Sequence, residues 1–346
     1  MNAPSSNGHR VPIVALIGTR GGVGKSTVAQ YMAEMVVSAP GIDGQPPNVL
    51  VVDLDVHSRQ LTQYYRAKAL TSCPTIHQLV QQGLPPNFQP INVTSQIARL
   101  GKAGTRHGEL HLIPSASSED DDVYRVAAAM PATEMAQLLT ELIQQVVANN
   151  RISCVVLDCT AHIDTYAAAA TSIADAVLCV SLVEPNCFER GEEQGRKIRS
   201  QVPTFDPERV KLVLNKYVYA DRLQELARIK SYYHAIPFSN EVVDSQTWPA
   251  SKIDELRLAI LMDYIGQLVE KILKDRWPGL VPPPSVMVPK EVAYLAAVAP
   301  KLSGAKGIRR LSLMRRLVWV GAVIIILAVA VCSQLKRPSA RPNHSF

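Results

Sequence analysis

Six apolar runs rich in Val and Ile recur along the first two thirds of the chain. Each run is continuous rather than alternating, which is typical of parallel strands buried on both faces. Between them, residues 26–39 and 132–150 show helical spacing. Alternating strands and helices predict an α/β fold with a doubly wound, mostly parallel sheet that binds ligands at the carboxyl ends of its strands. The runs are Val11–Gly18, Asn48–Asp55, Leu110–Ser115, Ile152–Cys159, Ala176–Val183 and Val210–Asn215.

A different apolar segment lies near the C-terminus. Residues 317–335 carry no formal charge. As a helix they would span about 28 Å, close to the ~30 Å hydrocarbon core of a bilayer. Basic residues flank the segment on both sides, and the larger number before it places the N-terminal side in the cytoplasm. We therefore predict one transmembrane helix; the alternative is a buried core helix.

The net charge is concentrated in the same region. The chain has a formal charge of +6, but residues 301–346 contain no acidic residue. Without that region the chain is slightly acidic, which disfavours nucleic-acid binding through a basic surface. The six cysteines form no CxxC pair, which indicates a reducing compartment. The polar N-terminus lacks the apolar core of a secretory signal.

The turn after the first predicted strand reads GTRGGVGKST, from Gly18 to Thr27. Its glycines allow successive backbone amides to point at one anion, and the following helix adds the partial positive charge of its N-terminus. The pattern predicts a phosphate-binding loop for ATP or GTP with Mg²⁺, although the strict Walker A motif has glycine where this chain has Thr19. The predicted nucleotide ligands are Gly21, Gly22, Val23, Gly24, Lys25, Ser26 and Thr27; Lys25 is also predicted to be catalytic and Ser26 to bind the metal.

The basic residue before these glycines carries a family resemblance. Arg20 followed by GGVGKS resembles the deviant Walker A motif of the MinD and ParA ATPases. In that family a lysine at this position reaches across a nucleotide-sandwiched dimer to the partner's phosphates. The resemblance covers about residues 11–270 and implies that Arg20 is a catalytic residue, since arginine can bind phosphate through two parallel hydrogen bonds. The alternative is a solvated loop residue.

The resemblance also assigns three carboxylates and an amide. It implies that Asp55 orients or activates the attacking water and that Asp53 supports the Mg²⁺ shell. Asp158, which closes the run SCVVLD, matches the Walker B carboxylate that holds a Mg²⁺-bound water. Asn215 and the segment from His234 to Val242 are expected to lie beside the adenine.

The second switch departs from the family pattern. After Asp158 the chain reads CTAHID, whereas the family has a sequence similar to Pro-Ala-Gly. His162 is therefore either a switch residue or an ordinary loop residue.

These patterns predict five segments. Residues 1–10 are expected to be disordered, and residues 11–275 to form the P-loop ATPase domain. A Pro-rich linker and a basic juxtamembrane segment occupy residues 276–316, the transmembrane helix residues 317–335, and a short tail residues 336–346.

The predicted function is that of a membrane-anchored ATPase of the MinD and ParA type. It would bind ATP and Mg²⁺, form a nucleotide-dependent homodimer and act in partition, positioning or envelope-machine assembly. The predicted location is the bacterial inner membrane, with a single-pass C-terminal anchor and the ATPase domain in the cytoplasm.

Two other functions remain open. One is a nucleotide-binding accessory component of a secretion, pilus or conjugation system with little hydrolysis, which Arg20 and the altered second switch favour. The other is a bacterial tyrosine kinase, which needs a terminal tyrosine cluster, whereas the last tyrosine here is Tyr294. Direct nucleic-acid binding is not favoured.

Overall fold

The computed structural model describes eight stretches of the chain, all within the first of its two units, Met1–Ala296. None of the helices in these stretches is both long and apolar enough to span a bilayer. The predicted N-terminal segment, linker, transmembrane helix and tail lie outside the described residues and stay predictions. The described residues are 11–39, 45–65, 73–97, 107–116, 130–184, 186–217, 233–237 and 264–272.

In the described part of the chain, eight strands form one sheet in the order β3-β4-β2-β5-β1-β6-β7-β8. Neighbouring strands are parallel except β3 and β4, which are antiparallel. The strands are β1 (Ile13–Gly18), β2 (Asn48–Asp53), β3 (Ile91–Asn92), β4 (Leu110–Ile113), β5 (Ile152–Asp158), β6 (Ala176–Leu182), β7 (Val210–Tyr217) and β8 (His234–Pro237).

Helices follow most of the strands, as the alternating pattern predicts. In the longest helix, Met135, Leu139, Leu142 and Val146 are spaced to lie on one face, and all are buried. The helices are α1 (Lys25–Val37), α2 (Gln60–Tyr64), α3 (Ile76–Gln82), α4 (Ala132–Asn150), α5 (Thr165–Ile173), α6 (Cys187–Gln201) and α7 (264–272), with 3₁₀ turns at Thr94–Gln96 and Pro207–Arg209.

The core has one layer on each face of the sheet. On one face α1 packs with residues of α2 and α7, and on the other α3, α4, α5 and α6 supply the buried side chains. Strand residues such as Leu16 and Leu50 are fully buried, and burying each such side chain contributes about 1.5–3 kcal/mol. The predicted doubly wound α/β fold is therefore confirmed.

The six apolar runs and both predicted helices correspond to observed elements, and no end differs by more than two residues. The second run extends to Asp55, whereas β2 ends at Asp53. Strands β3 and β8 were not predicted. β3 has only two residues, and β8 reads HAIP, which begins with His and ends with Pro and so does not form an apolar run.

The sheet brings the predicted site residues to one edge. Asp53 at the end of β2 is in register with Asp158 at the end of β5, and β5 also pairs with β1, which leads into the glycine loop. Parallel strands end at the same edge, and neighbouring strands lie about 4.8 Å apart. The topology therefore places two carboxylates beside the phosphate-binding loop.

The end of α4 gives a test of this backbone. Arg151 follows the helix with φ 52° and ψ 42°, the left-handed conformation that glycine adopts without strain. We expect Arg151→Gly to stabilise the protein by about 0.5–1 kcal/mol, because relief of strain exceeds the entropy that glycine adds to the unfolded chain. Chemical unfolding measures this difference. Arg151→Ala is the matched control and should bring no gain, since alanine keeps the strain; equal stabilisation by both variants would contradict the explanation.

Candidate nucleotide-binding site

The loop from Gly18 to Gly24 has the backbone that anion binding requires. A Cβ on Gly18 would lie 3.0 Å from the Arg20 carbonyl oxygen, so a side chain at this position would crowd the loop backbone. Gly22 and Gly24 have φ values of 74° and 86°, which side-chain-bearing residues rarely adopt. Gly21 and Gly22 face open space, and Gly24 caps the N-terminus of α1. The loop therefore presents its amides and the positive end of a helix to the same volume.

Thr19 fits this loop although the strict motif has glycine there. Its backbone does not adopt the left-handed region. Its N–H donates to the Val180 carbonyl oxygen at 3.0 Å, and its hydroxyl donates to Ser181 Oγ at 3.0 Å. Thr19 thus fastens the start of the loop to β6, and glycine is needed only at neighbouring positions.

Lys25 begins α1 and is buried among acidic groups. Its Nζ donates to Asp158 Oδ1 at 2.6 Å, to Asp55 Oδ2 at 3.3 Å and to Ser26 Oγ at 3.1 Å. The lysine is 5% exposed and Asp158 is fully buried. Burial alone would lower the pKa of Lys25, but attraction from Asp158 and Asp55 raises it above its ordinary value, so the ammonium is charged.

The two carboxylates that bind Lys25 differ in their electrostatics. Burial raises the pKa of Asp158, although Lys25 opposes this effect. Burial alone would also raise the pKa of Asp55. Attraction to Lys25 and hydrogen bonds from Ser58 outweigh burial and hold the pKa of Asp55 below its ordinary value. Asp55 is therefore ionised at neutral pH.

Asp53 is held by the protein on both of its oxygens. Oδ2 accepts from the Thr62 N–H at 2.8 Å and from the Thr62 hydroxyl at 2.7 Å, and Oδ1 accepts from the Asp55 N–H at 3.2 Å. Burial and repulsion from Asp158 raise the pKa of Asp53 to about 7. This geometry favours an indirect role in metal binding, in which Asp53 fixes the loop after β2 and α2.

The residues at the start of α1 fit a magnesium ion bound together with phosphates. Asp158 Oδ2 is buried and accepts no hydrogen bond from the described residues. The Ser26 hydroxyl lies close enough to lower the pKa of this carboxyl group. One carboxylate and one hydroxyl are typical protein ligands for Mg²⁺, which keeps several waters and takes its remaining oxygens from the nucleotide.

Asn215 in β7 connects the far side of the site to the loop. Its Nδ2 donates to the Val23 carbonyl oxygen at 2.8 Å, while its Oδ1 is buried and has no partner among the described residues. Strand β8, from His234, lies beside β7, and the predicted adenine segment beyond Pro237 is outside the described residues. Asn215 thus positions the loop, and its free acceptor keeps it a candidate for contact with the base.

Arg20 lies at the rim and is paired within its own chain. Its Nη2 donates to Glu184 Oε1, and the other oxygen of Glu184 accepts from Arg190 Nη1 at 2.8 Å. The prediction that Arg20 reaches a partner subunit therefore requires it to exchange Glu184 for phosphate. Neither the catalytic nor the solvated-loop interpretation of Arg20 anticipated this ion pair.

The second switch has its own internal hydrogen bonds. The Thr160 hydroxyl donates to the His162 carbonyl oxygen, and Asp164 Oδ1 accepts from the Ala167 N–H at 2.8 Å, which caps α5. Burial raises the pKa of Asp164, while the hydrogen bond from the Ala167 N–H opposes this shift. The altered sequence thus forms an ordered loop between Asp158 and α5, and the role of His162 stays a prediction.

The residues of this site that were not identified from the sequence include Thr62, Asp164, Ser181 and Glu184. Thr62 and Asp164 are seven and six residues beyond the predicted carboxylates Asp55 and Asp158 and lack a motif of their own. Ser181 and Glu184 contact the loop from more than 160 positions away. The only signal in the sequence is that the last two lie at the carboxyl end of an apolar run, where site residues collect.

The fold and the loop together define a P-loop nucleotide-binding protein. A family model described as AAA domain matches residues 11–194, which is more than half of the chain, so the protein belongs to this family. The resemblance to ParA and MinD ATPases that the sequence suggested is confirmed. None of the curated proteins compared with this sequence matches it.

Several solved structures share the fold. The septum site-determining protein MinD of Pyrococcus horikoshii, with Mg-ADP, is 16% identical; the alignment covers 78% of this chain and 98% of MinD, with a TM-score of 0.54. A Borrelia burgdorferi plasmid partition protein bound to AMPPNP is 16% identical, with coverages of 77% and 99% and a TM-score of 0.51. A Cyanothece McdA variant with ATP is 16% identical, with coverages of 77% and 97% and a TM-score of 0.53.

The buried ion pair makes a prediction about the nucleotide-free protein. Lys25→Ala leaves Asp158 buried without its ammonium partner, and we expect it to lower the free energy of unfolding by about 3–5 kcal/mol. Adding Asp158→Asn should recover part of this loss, because the uncompensated charge is removed. Urea unfolding of both single variants and the double variant measures the coupling.

Lys197→Ala is the matched control for this cycle. It removes an exposed lysine that pairs with Glu193 on the surface of α6, so its unfolding curve should resemble that of the parent protein. Strictly additive effects of Lys25→Ala and Asp158→Asn would show that the two groups are not energetically coupled.

Proposed function

We propose that this protein is a membrane-anchored, Mg²⁺-dependent ATPase of the ParA and MinD type that acts as an ATP-controlled dimer switch. The observation that carries the nucleotide part is the charged Lys25 at the start of α1, 2.6 Å from Asp158 and 3.3 Å from Asp55. A positive helix terminus, a glycine loop and two carboxylates converge there. The nucleotides in the three structural relatives, Mg-ADP, AMPPNP and ATP, support this assignment.

In this proposal the loop binds the triphosphate. The amides around Gly21, Gly22 and Gly24 donate to phosphate oxygens, and Lys25 exchanges a carboxylate partner for phosphate. Ser26 and Asp158 would hold the Mg²⁺, and the ion would supply positive charge that neutralises the phosphates.

Asp55 is the group that acts on the attacking water. It is ionised at neutral pH, and Ser58 holds its Oδ1 in place at 3.0 Å. Its Oδ2 is bound by Lys25 in this structure, so movement of the ammonium onto phosphate frees that oxygen to accept a hydrogen bond from water. Binding of the triphosphate and activation of the water are thereby coupled through one lysine.

The cellular part of the proposal is a role in spatial organisation at a membrane. Two structural relatives are named for plasmid partition and septum-site determination, which supports such a role. The uncharged segment 317–335 and its basic flanks support a single-pass anchor in the bacterial inner membrane, with the ATPase domain in the cytoplasm. Arg20 would complete the site of a second copy across the dimer.

Two observations favour a second candidate function, a nucleotide-binding accessory component with little hydrolysis. The Arg20 guanidinium is engaged by Glu184, and the loop after Asp158 carries Thr160 and His162 in place of the family's second switch. Both features would slow hydrolysis without affecting nucleotide binding. The rate of phosphate release decides between the two functions.

The first test of the proposed function is Asp55→Ala. Removing the general base should lower ATP turnover by about 10²–10⁴-fold, while the variant still binds ATP and remains a dimer. Phosphate release and light scattering measure the two effects. Asp206→Ala, an acidic residue outside the site, is the control and should behave as the parent protein.

Three results would redirect the proposal. Monomeric protein at saturating ATP would rule out the dimer switch. Parent turnover that is well above background and unchanged by Asp55→Ala would remove this residue from catalysis. Dimerisation of the parent protein with no turnover above background would favour the accessory function.

The second test concerns the membrane. Deleting residues 317–346 should move the protein from the membrane fraction to the supernatant after cell lysis, because the apolar span is removed. Deleting only residues 336–346 is the matched control and should leave it with the membranes. Sedimentation of both truncated proteins with the membranes would overturn the anchor.

A further inference from the structure

Glu184 binds two arginines at the edge of the phosphate site. It lies two residues after β6, and its Oε1 and Oε2 accept from Arg20 and Arg190 respectively, the latter at 2.8 Å. Arg20 belongs to the glycine loop, and Arg190 to the first turn of α6. One carboxylate thus connects the loop, the end of β6 and the start of α6.

This arrangement makes Arg20 easy to release. Its side chain is 48% exposed, and exposed ion pairs contribute little to stability. When Arg20 leaves, Glu184 keeps its second cation, so no carboxylate is left unpaired. The structure therefore permits a second arrangement, in which Glu184 is bound by Arg190 alone and Arg20 is free to bind another anion.

Phosphate and Glu184 compete for the same donors. The guanidinium of arginine binds carboxylate and phosphate with the same planar fork, so Arg20 cannot bind both fully at once. Arg190 competes with Arg20 for Glu184, because its guanidinium binds the second oxygen of the same carboxylate and so weakens the attraction between Glu184 and Arg20. The three side chains thus form a balance in which Glu184 restrains Arg20 and Arg190 weakens that restraint.

We propose that Glu184 is a positioning residue that holds Arg20 on its own chain and thereby sets the ATP concentration at which two chains pair. The inference rests on the proposed function, in which Arg20 acts on the nucleotide of a second copy. It predicts that substitutions of Glu184 and Arg190 shift this ATP concentration in opposite directions, although the two residues bind each other. A purely structural role would not produce opposite shifts.

The test is an ATP titration of dimerisation. Full-length protein in detergent, labelled at the N-terminus with a donor or an acceptor fluorophore, reports pairing by energy transfer. Glu184→Gln should lower the ATP concentration at half-maximal pairing by about two- to fivefold, because Arg20 is released. Arg190→Gln should raise it by a similar factor, because Glu184 then binds Arg20 alone.

Two controls separate this effect from loss of structure. Glu141→Gln neutralises an exposed carboxylate on α4, a helix that carries neither arginine, and should leave the midpoint unchanged. The affinity of each monomer for a fluorescent ATP analogue, measured at low protein concentration, should be equal in all variants. Arg190→Gln keeps the test decisive if Glu184→Gln does not fold.

Each outcome has a distinct meaning. Opposite shifts of the midpoint for Glu184→Gln and Arg190→Gln support the inference. An unchanged midpoint in both variants, or a shift in the same direction, overturns it while leaving the dimer switch intact. Absence of pairing in the parent protein at any ATP concentration overturns the inference together with the proposed function.

Discussion

The ammonium of Lys25, buried between Asp158 and Asp55, is the interaction on which the rest of the site depends. A charged lysine in a protein interior is tolerated only when acidic partners compensate for its lost hydration. Those partners come from the ends of β5 and β2, and they meet because parallel strands place their carboxyl ends at one edge of the sheet. The register of β2 and β5 places a third carboxylate, Asp53, beside Asp158. The pKa of Asp53 is raised to about 7, so a proton on Asp53 can remove its repulsion with Asp158.

The same cluster accounts for the chemistry proposed here. Phosphate is negative and Mg²⁺ is positive. The Lys25 ammonium can therefore exchange a carboxylate for a phosphate, and a carboxylate can exchange the ammonium for the metal ion, without leaving a buried charge unpaired. Asn215 and Thr19 hold the two ends of the loop to β7 and β6. The loop is thereby fixed at its ends, while the glycines between them remain open to a ligand.

Local sequence signals predicted much of this arrangement. Continuous apolar runs determine the strands because burial on both faces leaves no room for polar residues, and the glycine-rich turn specifies its own backbone at Gly22 and Gly24. Contacts between residues that are distant in the sequence could not be predicted from local signals. The hydrogen bonds from Thr62 to Asp53 and the pairing of Glu184 with Arg20 depend on how strands and helices meet, which no local motif encodes. The strands β3 and β8 were missed because they are stabilised by their neighbours in the sheet rather than by a pattern of their own.

The most direct measurement of the central claim is a crystal structure of the protein with Mg²⁺ and a non-hydrolysable ATP analogue. The account predicts phosphates in the loop from Gly18 to Gly24, Lys25 Nζ moved from Asp158 onto a phosphate oxygen, and the metal beside Ser26 and Asp158. A nucleotide bound elsewhere, with Lys25 still 2.6 Å from Asp158, would contradict it.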